Sequence, residues 1–137
     1  MGELIGIGYE GRALAPFVDD LVARGVTRVV DVRLNAVSRK PGFSKRALSA
    51  ALFASGIAYE HRPALGNPRE NRAGFGGGPA ALAAARAAYL SLLSTPAAVA
   101  ALAEVARAAD RERVAVLCFE ADQRRCHRDV LIANLEG

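Results

Sequence analysis

The segment VAVLCFEADQRRCHRDVLIANL, Val114 to Leu135, runs from a buried-strand pattern through a polar turn into a helical one. Its apolar run is followed at once by Cys118 and Glu120, and then by Cys126, His127 and Arg128. A strand feeding a helix is the repeating unit of an open parallel α/β sheet. In that architecture ligands bind outside the carboxyl ends of the strands, beside the amino ends of the helices that follow. The reactive residue types of this chain therefore gather where such a fold builds a site.

Working outward, the same alternation recurs. Leu4 to Gly8 reads as a first strand, and Phe17, Val18, Leu21 and Val22 form a helical stripe that starts near Pro16 and stops at Gly25. Arg28 to Arg33, RVVDVR, reads as a second strand; Ser44 is placed to cap a helix carrying Leu48, Leu52 and Phe53, closed by Gly56. Ile57 to Arg62 follows as a third strand. The stretch from Pro63 to Pro79 is rich in Gly, Pro and Asn without a clear period, which predicts a long loop placed to fold over a ligand as a lid. Two Ala-rich helices come next, about Ala80 to Leu93 and Pro96 to Ala109, with Thr95 as cap and Pro96 in the first helical position. Arg113 to Phe119 is the fourth strand. Asp122 is placed to cap the last helix, which puts Cys126 to Arg128 near its first turn. Strands alternating with helices imply right-handed crossovers and strands pointing one way. The expected fold is α/β, in three layers, with a mainly parallel four-stranded sheet and helices on both faces.

Composition bounds this reading. A chain of 137 residues that is 52% apolar fits a single α/β domain over residues 1–137. MGELIGIGYEGR has no basic region leading into a long apolar stretch, and no window is apolar for long enough to cross a bilayer, so a cytoplasmic protein without membrane association is expected. Two cysteines make no disulfide framework, and in a reducing compartment they read as thiols or metal ligands, with an oxidised Cys118–Cys126 pair as the alternative. The net charge of +4 comes from basic side chains of which only Lys40 and Lys45 are lysine, so local clustering says more than the total. Arg39, Lys40, Lys45 and Arg46 form one cluster, Arg62, Arg69 and Arg72 a second, and Arg124, Arg125 and Arg128 a third. Solvated surface is the plain reading of such runs; a phosphate-bearing ligand is the sharper one.

With all strands pointing one way, four loops deliver polar residues to one edge of the sheet. Tyr9, Glu10 and Arg12 follow the first strand, while Asp31, Arg33 and Ser38 end or follow the second. His61 and Arg62 end the third, and Cys118 and Glu120 end the fourth. A small domain with four such strand ends is expected to hold a functional crevice there.

At these positions the chain resembles a known family. GYEGR (Gly8 to Arg12), DVR (Asp31 to Arg33), SRKPGFSK (Ser38 to Lys45), Tyr59 with Leu65-Gly66, CFE (Cys118 to Glu120) and CHR (Cys126 to Arg128) carry the likeness. Together they are similar to the bacterial and archaeal family known as domain of unknown function 488. The resemblance implies an α/β fold and a site at these motifs, with no settled reaction. Many relatives carry a Pro between DVR and the Ser, where this chain has Leu34-Asn35-Ala36-Val37.

The residue types admit several chemistries. Cys126 near a helix amino terminus, beside His127 and Arg128, has the surroundings that stabilise a thiolate, although burial as a small apolar side chain is the commoner fate of a cysteine. Cys118, Glu120, Cys126 and His127 are ligand types, but the cysteines lie eight apart with no second close pair, so no metal set is assigned. Glu10, Asp31 and Glu120 suit acid–base work, while a buried ion pair with a nearby Arg is the equal alternative for Asp31. CFEADQR, Cys118 to Arg124, has the cysteine-to-arginine spacing of a cysteine phosphatase loop, and VVDVR is similar to a strand of rhodanese-like domains. Glu120 and Asp122 inside that loop, with no glycine, oppose a dianion there. Finally, SRKPGFSKR with Phe43 among cations suits a non-catalytic nucleic-acid-binding module, unless Phe43 anchors the loop to the core.

The reading adopted is a crevice that binds an anionic ligand, either a phosphate-containing small molecule or a nucleic-acid fragment, in an enzyme or an enzyme-like binding protein. Glu10, Asp31, Glu120, Cys126 and His127 are the candidate catalytic residues. Tyr9, Arg12, Arg33, Ser38, His61, Cys118 and Arg128 are the candidate ligand-binding residues. The sequence names no cofactor.

Overall fold

Every strand pair in the sheet is parallel, and the order β1-β4-β2-β3 places the fourth strand of the chain inside it. The computed structural model describes residues 2–136. Its strands are β1 (Glu3–Gly8), β2 (Arg28–Asp31), β3 (Ala58–His61) and β4 (Arg113–Cys118). The helices are α1 (Leu14–Ala23), α2 (Lys45–Ala54), α3 (Arg72–Phe75), α4 (Pro79–Leu92), α5 (Pro96–Ala109) and α6 (His127–Glu136).

The layers follow from the period-two alternation of side chains along each strand. Ile7, Val29, Ala115 and Leu117 pack with Phe17 and Leu21 of α1 and Leu48 and Leu52 of α2. Val30, Val114 and Val116 point the other way, onto Tyr89 of α4, Val105 of α5 and Leu131 of α6. Because β4 is covered on both faces it reads in sequence as one continuous apolar run, as a central parallel strand should. The three-layer α/β fold stands, with the sheet wholly parallel.

Two boundaries and one cap differ from expectation for local reasons. The second strand ends at Asp31 because the Asp31 carboxylate accepts the backbone N–H of Arg33 at 3.1 Å, which turns the chain out of the ladder. Ser44 precedes α2 without capping it; its Oγ accepts the N–H of Ser38 and donates to the Ser38 carbonyl, closing the loop between them. Asp122 caps a 3-10 turn over Gln123–Arg125, accepting the N–H of Arg124 at 3.1 Å, so the last helix starts later, at His127.

The Pro63 to Pro79 stretch is also more ordered than its composition suggests. It holds 3-10 turns at Pro63–Leu65 and Arg69–Asn71 and the short α3. Tyr89 donates to the Leu65 carbonyl at 2.6 Å, and Asn71 Nδ2 to the Ala85 carbonyl at 2.9 Å, pinning the stretch to α4. Among the described residues no single helix is long and apolar enough to cross a membrane; α4 and α5 pass that test only as a pair bent by 88°.

Thr95 does cap α5, accepting the N–H of Ala98 at 3.4 Å, with Pro96 in the first turn. Thr95→Ala is expected to lower the unfolding free energy by about 1 kcal/mol, the usual worth of a side-chain cap. Urea denaturation checks this, and an unchanged midpoint counts against the cap.

Candidate functional site

The carboxyl ends of β1, β2 and β4 open onto one crevice of about 70 Å³. Tyr9 arrives from β1, Arg33 from β2, and Cys118 and Glu120 from β4. Cys126 and His127 arrive from the start of α6, and the stretch after β3 supplies Asn67, Arg72 and Phe75 as the opposite wall. The loop predicted to fold over a ligand thus does border the crevice. Arg125, from the turn before α6, donates to the carbonyls of Phe75 and Gly77 and ties that wall to the α6 side.

The floor beside β2 is an ion pair. Arg33 meets Asp31 through Nε at 2.9 Å and through its terminal nitrogen at 2.7 Å, with the carboxylate fully buried. Tyr59 donates to the same carboxylate at 2.5 Å. Arg33 also donates to the Phe43 carbonyl at 2.7 Å and to the Tyr9 hydroxyl at 3.1 Å. Burial opposes the Arg33 charge, but the hydrogen bonds and attraction of Asp31 outweigh it and raise its pKa above the ordinary arginine value. Burial, followed by the neighbouring Asp31 carboxylate, raises the pKa of the Tyr59 hydroxyl. Tyr9 is held flat on Phe43, ring centroids 4.5 Å apart, so Phe43 is a core anchor with no exposed face.

The opposite side is a sulfur and nitrogen cluster. Cys118 and Cys126 are joined as a disulfide, which corrects the expectation of two thiols: the end of β4 and the turn before α6 bring them face to face. Arg128 is buried and donates to Cys118 Sγ at 2.8 Å, while its backbone N–H reaches Cys126 Sγ at 3.5 Å. Burial lowers the Arg128 pKa, the carboxylates around it being too distant to cancel the effect. His127 Nε2 lies 2.7 Å from the Val32 carbonyl and Nδ1 lies 3.7 Å from Cys126 Sγ. Burial pulls the His127 pKa down to about 4, so the imidazole is neutral at pH 7. Glu120 is partly buried at the rim, and desolvation raises its pKa above the ordinary carboxylate value.

Of the twelve residues read as candidates, Tyr9, Arg33, Cys118, Glu120, Cys126 and His127 line the crevice together. Asp31 and Arg128 stand directly behind them. The other four are engaged around the margin. Glu10 is exposed and accepts the N–H of Ala121 at 3.0 Å, bridging the loops after β1 and β4. Arg12 pairs with Asp20 at 3.2 Å, Ser38 Oγ accepts the N–H of Lys40 at 3.1 Å, and His61 Nε2 meets the Arg33 carbonyl at 2.8 Å. Sequence reasoning missed Asn67, Arg72, Phe75 and Arg125. The two arginines stand in basic clusters visible in the sequence, but nothing in their spacing separates them from the solvated members.

A family model described as domain of unknown function DUF488 matches residues 13–135. The chain belongs to the DUF488 family. Neither the curated proteins nor the solved structures contained a match to it. The matched span runs from the start of α1 into α6, and GYEGR lies just before it. In this DUF488 chain the segments DVR, CFE and CHR, far apart in sequence, meet at one crevice.

Proposed function

We propose that the crevice binds a small oxyanion, a free phosphate or the phosphate end of a nucleotide-like molecule, and that Glu120 serves as proton donor to what is bound there. The observation that carries this reading is the imbalance of charge around a small space. Arg72 and Arg125 line it against one carboxylate, Glu120, whose protonated form burial favours, while the third arginine there, Arg33, is already paired with Asp31. Arg72 is exposed and forms no ion pair among the described residues. Arg33 spends Nε and three other N–H groups on Asp31, Tyr9 and Phe43, which fixes it in the floor of the crevice. A crevice of about 70 Å³ has room for a small anion, with any base or sugar lying outside it. Burial that favours the protonated form of a carboxyl suits it to the role of proton donor. The cytoplasmic setting expected from the sequence belongs to the same reading.

The cysteine-phosphatase reading loses support from the loop itself. A phosphate cradle needs free backbone N–H groups, yet Ala121 donates to Glu10, Arg124 to the Asp122 side chain, Arg125 to the Asp122 carbonyl and Cys126 to the Gln123 carbonyl. The nucleic-acid-module reading loses its stacking platform with Phe43 buried.

Calorimetric titration of the full chain with inorganic phosphate and with a nucleoside monophosphate tests the proposal. One saturable site is expected, weakened about tenfold, or about 1.4 kcal/mol, in Arg72→Ala and in Arg125→Ala. Absence of saturable binding to wild type, or affinity unchanged from wild type in both variants, contradicts it.

A further inference from the structure

Arg128 is the anomaly of this molecule. It is 2% exposed, and among the described residues its Nε has no hydrogen-bond partner and it forms no ion pair. Among the described residues its side chain makes two hydrogen bonds, to Cys118 Sγ at 2.8 Å and to the Ala121 carbonyl at 3.4 Å. A buried guanidinium against neutral sulfur is an uncompensated charge, which folded proteins avoid; against a thiolate it is an ion pair. The pocket behind Cys118 is therefore arranged for anionic sulfur.

A second observation names what else would sit there. Cys118 Sγ, Cys126 Sγ and a ring nitrogen of His127 all lie within 4.8 Å of one another. A carbonyl oxygen only accepts, so the 2.7 Å contact with Val32 places the imidazole hydrogen on Nε2 and leaves the Nδ1 lone pair facing the sulfurs. Fixing a ligating imidazole through its far nitrogen to a backbone carbonyl is the standard support of a metal site. The Cα atoms of the two cysteines are 7.4 Å apart, wider than the roughly 4.4–6.8 Å that disulfides usually span.

We infer that Cys118, Cys126 and His127 form a site for a soft divalent cation of the zinc class, open when the cysteines are reduced and closed when they are joined. Two thiolates and a neutral imidazole make a Cys₂His set, with the fourth position facing the crevice. The thiolate of Cys118 keeps Arg128 as its hydrogen-bond donor while it ligates the ion. The redox step balances with a dithiol as reductant. The dithiol gives two electrons and two protons to the S–S bond, yielding two cysteine thiols, and itself becomes a disulfide. The cation then displaces the two thiol protons to solvent. Sequence spacing conceals the site because its ligands come from a strand end and a helix start, eight residues apart, and not from paired knuckles.

The test uses the full chain, reduced with a dithiol, freed of it without oxygen, and titrated with Co²⁺ and then Zn²⁺. The expected result is one Co²⁺ per chain with sulfur-to-metal charge-transfer absorption, displaced by one Zn²⁺, and no uptake by the oxidised chain. Cys118→Ser, Cys126→Ser and His127→Gln should each lose stoichiometric uptake. A reduced wild-type chain that takes up no Co²⁺, takes it up without charge-transfer absorption, or binds it equally after both cysteines are replaced overturns the inference. The wild-type spectrum decides the matter even if a variant fails to fold. Phosphate titration of the oxidised chain reads the anion site separately, so the two proposals fail independently.

Discussion

Arg33→Met is expected to lower the unfolding free energy by about 3–5 kcal/mol, the usual cost of removing one partner from a buried ion pair. Asp31 is fully buried, and among the described residues Arg33 is its only cationic partner. The remaining donors to the carboxylate, the Tyr59 hydroxyl and the Arg33 backbone N–H, are neutral. Replacing both residues, as Asp31→Asn with Arg33→Met, should recover much of the loss, because no uncompensated charge is left. Urea denaturation of the two single variants and the double variant gives the coupling between the residues. A cost below about 1 kcal/mol for Arg33→Met would mean that the carboxylate is solvated, and that the pair does not shape the floor of the crevice.

The second large effect is a pH dependence. In the oxidised, metal-free chain His127 has a pKa of about 4 in the fold, against about 6.5 in an unfolded chain. Between these values the unfolded state binds more protons, so stability rises with pH across that window. The contribution is fully present above pH 6.5 and is lost as pH falls toward 4, a change of about 3 kcal/mol. Denaturation midpoints taken at intervals from pH 7 to pH 4 should therefore fall, and His127→Gln should flatten the part of the slope that His127 supplies. Identical slopes in wild type and variant would show that the imidazole is not buried in its neutral form.

Much of the architecture was legible because the physics that builds it is local. Phe17 and Leu21, like Leu48 and Leu52, recur at helical spacing and pack onto one face of the sheet. The run through Val114 to Leu117 is apolar throughout because β4 is covered on both sides. Gly25 and Gly56 end their helices with φ of +73° and +77°, the left-handed conformation that glycine adopts freely. Site residues at a strand end or helix start were legible for the same reason, since a parallel sheet delivers Tyr9, Arg33, Cys118 and Glu120 to one edge. Asn67, Arg72 and Phe75 were not, because tertiary hydrogen bonds from Tyr89 and Asn71 place their segment. Asp31 and Arg33 show the remaining limit. As residue types they suit catalysis, anion binding or a buried ion pair, and the geometry selects the ion pair.

The most direct test of a shared crevice is to follow backbone amide resonances of the uniformly labelled chain during titration with inorganic phosphate. Saturable shifts are predicted in three separate segments, residues 33–37, 67–75 and 118–127, with a common midpoint. Shifts confined to the basic face of α2 around Lys45 and Arg46, or no saturable shift anywhere, would contradict the account.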